Sequence, residues 1–160
     1  MKRVVLAVLF VASPALAART SLGTFDGWGA FRDDSPPHCF AIAQPMRGGG
    51  GKWKPFASVA TWPQARVRGQ VHIRLGREKL ASAPITLTIG ERRFQMVAGG
   101  ADVWAPDPRI DAAIVAMMRS APSMSVSTRA ATGAGFAETY PLKGAATAMD
   151  AAALDRKSVV

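Results

Sequence analysis

The chain has 160 residues, of which 49% are hydrophobic and 19% charged. It therefore has the material for one buried core and is not a disordered, highly charged chain. Twenty Lys and Arg against eleven Asp and Glu give a formal charge of +9. One Cys excludes an intramolecular disulfide and a cysteine-built metal site, and two His leave little material for a zinc centre or a histidine relay.

The N-terminus reads Met1-Lys2-Arg3, then an unbroken apolar run over residues 4–12, then Ser13-Pro14-Ala15-Leu16-Ala17. A basic start, a short apolar stretch and small residues at Ala15 and Ala17 describe a secretory signal peptide over residues 1–17. The apolar run is about half of the roughly 20 residues that span a bilayer, so cleavage rather than anchoring is expected. The mature chain then begins at Ala18 in the periplasm or outside the cell, and no Cys follows the cleavage site to carry a lipid. Loss of Lys2 and Arg3 lowers the charge from +9 to +7. Residues 47–93 hold ten basic and two acidic side chains, so the excess belongs to the middle of the chain. Export makes nucleic acid a poor partner. Acidic envelope components, lipid or protein, fit better.

Along the mature chain, short apolar runs separated by turn residues predict strands. Residues 28–32 and 39–44 flank the turn-forming stretch Asp33-Asp34-Ser35-Pro36-Pro37. The run Gly48-Gly49-Gly50-Gly51 reads as a flexible loop before a third strand at 57–62. It is not a nucleotide phosphate loop, because Trp53 stands where Ser or Thr must follow Lys52 and no helix pattern comes after it. Val67, Val71, Ile73 and Leu75 alternate with Arg66, Arg68, Gln70, His72 and Arg74, which predicts a strand with one apolar and one basic face. Residues 85–89 and 92–97 surround Gly90-Glu91, a two-residue loop that suits a type II′ hairpin. Its closure pairs Ile89 with Arg92, Leu87 with Phe94 and Ile85 with Met96, placing Leu87, Phe94, Ile85 and Met96 on one face. Gly99-Gly100 predicts another tight turn, leading into residues 101–104.

Asp107 followed by Pro108 predicts a capped helix, with Ile110, Ala113, Ile114 and Met117 on one side and Pro122 as its stop. Strand-like residues 124–130 and 135–140 follow. Pro141 is then expected to open a second helix, with Leu142, Ala145, Ala146 and Met149 on one face, and residues 156–160 to form a loose tail. The fold class is mainly β, an antiparallel sheet or β-sandwich carrying two short helices toward the C-terminus, as a single domain over residues 18–155.

Three short motifs carry a resemblance. Phe25-x-x-Trp28, His38-Cys39-Phe40-Ala41-Ile42 and Tyr140-Pro141-Leu142-Lys143-Gly144-Ala145-Ala146-Thr147-Ala148, with the stretch that opens Trp104-Ala105-Pro106 between them, resemble the invasion-associated locus B family of exported bacterial proteins. The resemblance implies a β-rich periplasmic or secreted domain, linked to host-cell invasion in some pathogens, without an established catalytic activity. Such proteins carry paired cysteines. Here Phe31 or Arg32 stands where one partner would be, so the resemblance makes Cys39 half of a bridge that this chain does not form.

The side chains that could carry chemistry are few. His38 and Cys39 are strand neighbours and point to opposite faces, so they cannot readily pair as base and nucleophile. Asp33, Asp34 and Asp107 read as turn and cap residues, and together with Asp102 they form no calcium loop or nucleophile elbow. The basic row is the feature with a physical case for binding. Arg66, Arg68, His72 and Arg74 would extend over about 26 Å at about 3.3 Å per residue, and guanidinium groups so placed can grip phosphate or carboxylate. Trp53 and Trp62 could border that face. The sequence therefore points to a non-enzymatic, cofactor-free, metal-free binding module for acidic envelope components. A periplasmic hydrolase with an unrecognised site and an envelope assembly factor remain as alternatives.

Overall fold

Period-two patterning and turn residues produce ten strands and two helices across residues 19–155, the part of the chain that the computed structural model describes. The expected signal peptide and the tail at 156–160 lie outside the described residues. In chain order the elements are β1 (Arg19–Phe25), β2 (Trp28–Asp34), β3 (Pro37–Ala43), β4 (Phe56–Trp62), β5 (Val67–Arg74), β6 (Ile85–Ile89), β7 (Arg92–Gly99), β8 (Asp102–Trp104), α1 (Pro108–Met118), β9 (Ser123–Arg129), β10 (Gly135–Pro141) and α2 (Ala145–Asp155). All neighbours pair antiparallel in the order β1-β2-β3-β4-β5-β8-β7-β6-β9-β10. The mainly β, antiparallel architecture with two helices is the one expected.

The hairpin of β6 and β7 has the expected register, Ile85 against Met96, Leu87 against Phe94 and Ile89 against Arg92. Gly90 takes φ 58°, and Ile85, Leu87, Phe94 and Met96 are buried while Arg93 and Gln95 are exposed. The α1 cap is also the expected one. Asp107 Oδ1 accepts from the Arg109 and Ile110 N–H groups at 2.8 and 3.0 Å, satisfying two of the donors that a helix start leaves open.

Three elements differ from the sequence reading. β1 is an added edge strand. Asp33 and Asp34 belong to the end of β2, leaving a shorter turn than expected. Pro141 closes β10 instead of opening α2, which starts at Ala145 after the Leu142–Gly144 turn.

The sheet curls until β10 reaches β2 and the segment after β3. Met46 and Arg47, just after β3, exchange backbone hydrogen bonds with Thr139 of β10. The Trp28 indole Nε1 donates to the Pro141 carbonyl at 2.7 Å. Trp28, Ala41, Val71, Ile73 and Val103 face inward and pack with Leu87, Val126, Tyr140 and the buried sides of α1 and α2 in one core. α1 lies on β5 and α2 crosses β1, β2 and β3. Among the described residues, no helix is long and apolar enough to cross a membrane.

Candidate functional site

Residues paired across antiparallel strands share a face. Cys39, Val59, Thr61 and Gly69 line a small cavity with Val115 of α1, Arg119 just after it, and Met149 and Ala152 of α2, so both helices cover the same side of the β1–β5 part of the sheet. The opposite side carries Phe31, Phe40, Ala60 and Gln70 as one row of partners, and Ile42, Ser58, His72, Trp104 and Val97 as the next. This side is ring-rich. His38 stacks on Trp62 with centroids 3.9 Å apart and on Phe40 at 5.1 Å. The Arg19 guanidinium, paired with Asp33, rests 5.1 Å from the Phe40 centroid. Farther along, His72 lies parallel to Trp104 at 5.2 Å and edge-on to Phe56. Phe31, Phe56, Trp62 and Trp104 are half-buried and Val97 is 48% exposed.

The basic row expected on this face is shorter than the alternation implied. Arg66 lies in the β4–β5 turn at φ 55°. The register then shifts between Ala60 and Trp62, with Gly69 at φ 66°. A bulge breaks strict alternation, so Val67 rather than Arg68 opposes Trp62. Only Gln70, His72 and Arg74 remain in the row. The last two share one carboxylate from β8: Arg74 Nε and Nη2 donate to Asp102 at 2.7 and 2.9 Å, and His72 Nε2 bonds it at 2.7 Å. Burial pushes the Asp102 carboxyl up, but hydrogen bonds from Arg74 and then His72 outweigh it and hold the group below the usual carboxylate range. Arg66 and Arg68 are exposed and form no ion pair among the described residues. The sequence saw the residues but not Asp102 as their partner, because the β5–β8 pairing joins strands separated by two intervening strands.

Ser58, His72 and Asp102 have the composition of a hydrolytic triad but not its wiring. The Ser58 hydroxyl, 7% exposed, donates to the His72 backbone carbonyl at 3.3 Å, and Arg74 grips the carboxylate that would orient the ring. A triad needs the hydroxyl against the imidazole. His38 and Cys39 point to opposite faces as expected. Cys39 is buried, and burial pushes its thiol pKa up, away from the nucleophilic thiolate. Among the described residues, no group of three or more His, Cys, Asp or Glu side chains gathers as a metal site.

The Gly48–Gly51 run is not the flexible connector that its composition suggested. Gly48, Gly49 and Gly51 have φ of 81°, 79° and 154°. A Cβ on Gly48 would meet the Ala137 carbonyl and one on Gly51 the Gly76 carbonyl, so only glycine fits. Arg77 Nε donates to the Gly50 carbonyl at 2.7 Å and the Trp53 N–H to the Gly76 carbonyl at 3.1 Å. Beneath lies Glu138, 1% exposed, which accepts from the Gly76 N–H at 2.8 Å and from the Tyr140 hydroxyl at 3.4 Å. Burial pushes the Glu138 pKa up, more than these bonds pull it down. The pinned loop borders an open cavity of about 560 Å³ with Lys52, Trp53 and Lys54 in its wall.

No protein-family model matches the sequence, and no curated protein is similar to it at the level of sequence. The structure is similar to the crystal structure of invasion associated protein B from Bartonella henselae, with a TM-score of 0.61 at 16% identity, over 86% of this chain and 99% of that one. The first and last of the motifs that carried the resemblance meet in space. The Trp28 indole holds the Pro141 carbonyl, Lys143 Nζ reaches Asp26 at 3.0 Å, and Gly144 sits against the Phe25 carbonyl. The chain has the fold of invasion associated protein B.

Proposed function

We propose that this protein is an exported, envelope-associated binding module of the invasion associated protein B type, with no reaction of its own, and that it docks acidic envelope components. One observation carries the reading: the helix-free side of the β1–β5 and β8 part of the sheet presents half-buried rings at Phe31, Phe56, Trp62 and Trp104 to solvent. Aromatic residues give large contact area for little side-chain entropy, and a ring-rich exposed face marks interaction surfaces. Arg66 and Arg68 flank Val67, the register partner of Trp62, and supply unpaired positive charge at that end of the face. The proposed contact combines ring burial with bidentate guanidinium hydrogen bonds. The wiring of Ser58, His72 and Asp102 supports binding over hydrolysis.

The test is salt-sensitive binding to immobilised lipopolysaccharide and to phosphatidylglycerol vesicles. Reversing both charges, Arg66→Glu with Arg68→Glu, should weaken binding about tenfold or more and flatten its salt dependence. Binding equal to that of the unaltered protein would remove this surface from the proposal. Export has its own test: N-terminal sequencing of protein recovered from the periplasmic fraction should begin at Ala18.

A further inference from the structure

A second site lies in the glycine loop. We infer that the cavity behind Gly48–Lys54 binds a small phosphomonoester, with Lys52 and Lys54 neutralising the phosphate and the Trp53 ring forming the apolar wall for the organic body.

Three independent observations converge on it. The first is shape. A cavity of about 560 Å³ lined by Gln44, Pro45, Trp53, Pro55 and the glycines falls within the roughly 300–1,000 Å³ of small-molecule sites. It is large enough for a phosphorylated sugar and more than a bare ion needs.

The second is charge without a counter-charge. Lys52 and Lys54 are exposed, and neither forms an ion pair among the described residues, whereas Lys143 and four arginines do. The Lys52 ammonium lies 5.2 Å from the Trp53 ring centroid, so it is held at the cavity wall. Arg77 keeps a third positive charge beside the loop through its bond to the Gly50 carbonyl. The nearby acid Glu138 is sealed behind Gly48 and Gly76 and turns its oxygens to the Gly76 N–H and the Tyr140 hydroxyl.

The third is donors that are fixed and unspent. Among the described residues, no protein acceptor takes the N–H of Gly48, Gly49, Gly50, Gly51 or Lys52. Their backbone is nevertheless held on both sides, by the Arg47–Thr139 bridge before them and the Trp53–Gly76 bond after them. Successive backbone amides at alternating or positive φ form concavities that accept anions. Binding here does not have to order a loose loop first, and that lowers its entropic cost. A phosphomonoester fits better than a carboxylate because it carries about −1.5 to −2 charges and three acceptor oxygens, which two ammonium groups and several amides can share.

The phosphate could arrive on a free metabolite or on a lipid headgroup, and two arms separate these sources. In the first, the protein is titrated calorimetrically with a hexose 6-phosphate and with the same hexose unphosphorylated. In the second, it is sedimented with phosphatidylcholine vesicles with and without phosphatidic acid. Binding that needs the phosphate in either arm, and that falls about tenfold or more for each of Lys52→Met and Lys54→Met, supports the site. Melting temperatures of the two variants, expected to match that of the parent, separate lost contacts from lost structure. The Arg66→Glu, Arg68→Glu protein should keep its binding of the hexose 6-phosphate, which makes failure here distinguishable from failure of the sheet-face proposal. No phosphate-dependent binding in either arm, or binding that both lysine variants retain in full, overturns the inference.

Discussion

Glu138 is a carboxyl group with almost no contact with water, and its bonds explain why the fold keeps it. One oxygen caps the Gly76 N–H, fixing the turn against which the glycine loop rests. Burial is the larger influence and raises its pKa; Asp111, which accepts the Val71 N–H at 2.8 Å, is raised for the same reason. A carboxyl whose native pKa exceeds its unfolded value, about 4.3 for Glu, stabilises the fold most below that value, and the contribution is lost as pH rises through the native pKa. Asp33 and Asp102 act with the opposite sign. Arg19 lowers the first, while Arg74 and His72, working against burial, lower the second, so their stabilisation appears above the unfolded value and is lost in acid. Glu138→Gln keeps an acceptor for Gly76 and removes one titration. Its melting temperature should fall less than that of the parent between about pH 4.5 and pH 8; parallel pH profiles would show that Glu138 does not titrate differently in the folded state.

At the scale of elements, the β2–β3 pairing sets Arg32 directly opposite Cys39. Register partners lie about 4.5–5.5 Å apart at Cα, within reach of a disulfide. The resemblance had placed the missing cysteine at Phe31 or Arg32, and the register selects Arg32. In its place the chain has an ion pair, Arg32 Nη1 to Asp155 at the end of α2, 3.0 Å long. Arg32→Cys should form a bridge to Cys39 under oxidising conditions. Oxidised and reduced samples of that variant should differ in stability by about 2–3 kcal/mol, since the closed loop is short; a free-thiol count of two after mild oxidation would contradict the register.

The same pairings show what the sequence could and could not disclose. The β6–β7 hairpin was legible because its partners are neighbours and its turn is chemically specific. α1 was legible from Asp107 and Pro108. β1 was not, because Arg19 to Phe25 holds only two large apolar residues, Leu22 and Phe25, with Gly23 between them. Arg66 and Arg68 looked like members of a row because alternation was assumed through Gly69, where the strand bulges. The glycine loop looked loose because everything that pins it, Gly76, Arg77, Ala137 and Thr139, is distant in sequence.

Over the whole molecule, both ends of the sheet depend on one junction. Gly144 takes φ 85° against the Phe25 carbonyl, where a Cβ has no room. Beside it the Trp28 indole, fully buried, bonds Pro141. Gly144→Ala should therefore cost about 1–3 kcal/mol from backbone conformation alone. The loss should appear as a lower melting temperature with a single cooperative transition, because α2 and β1–β3 share the core. A melting temperature equal to that of the parent would mean that the junction adjusts without strain.

That junction also orders events in time. The Trp28–Pro141 and Arg32–Asp155 contacts join residues 113 and 123 positions apart, and such long-range closure comes late and slowly. The first three strands cannot bury their inner face until the last helix has been made and delivered. A chain built this way completes its core only at the end of its own synthesis.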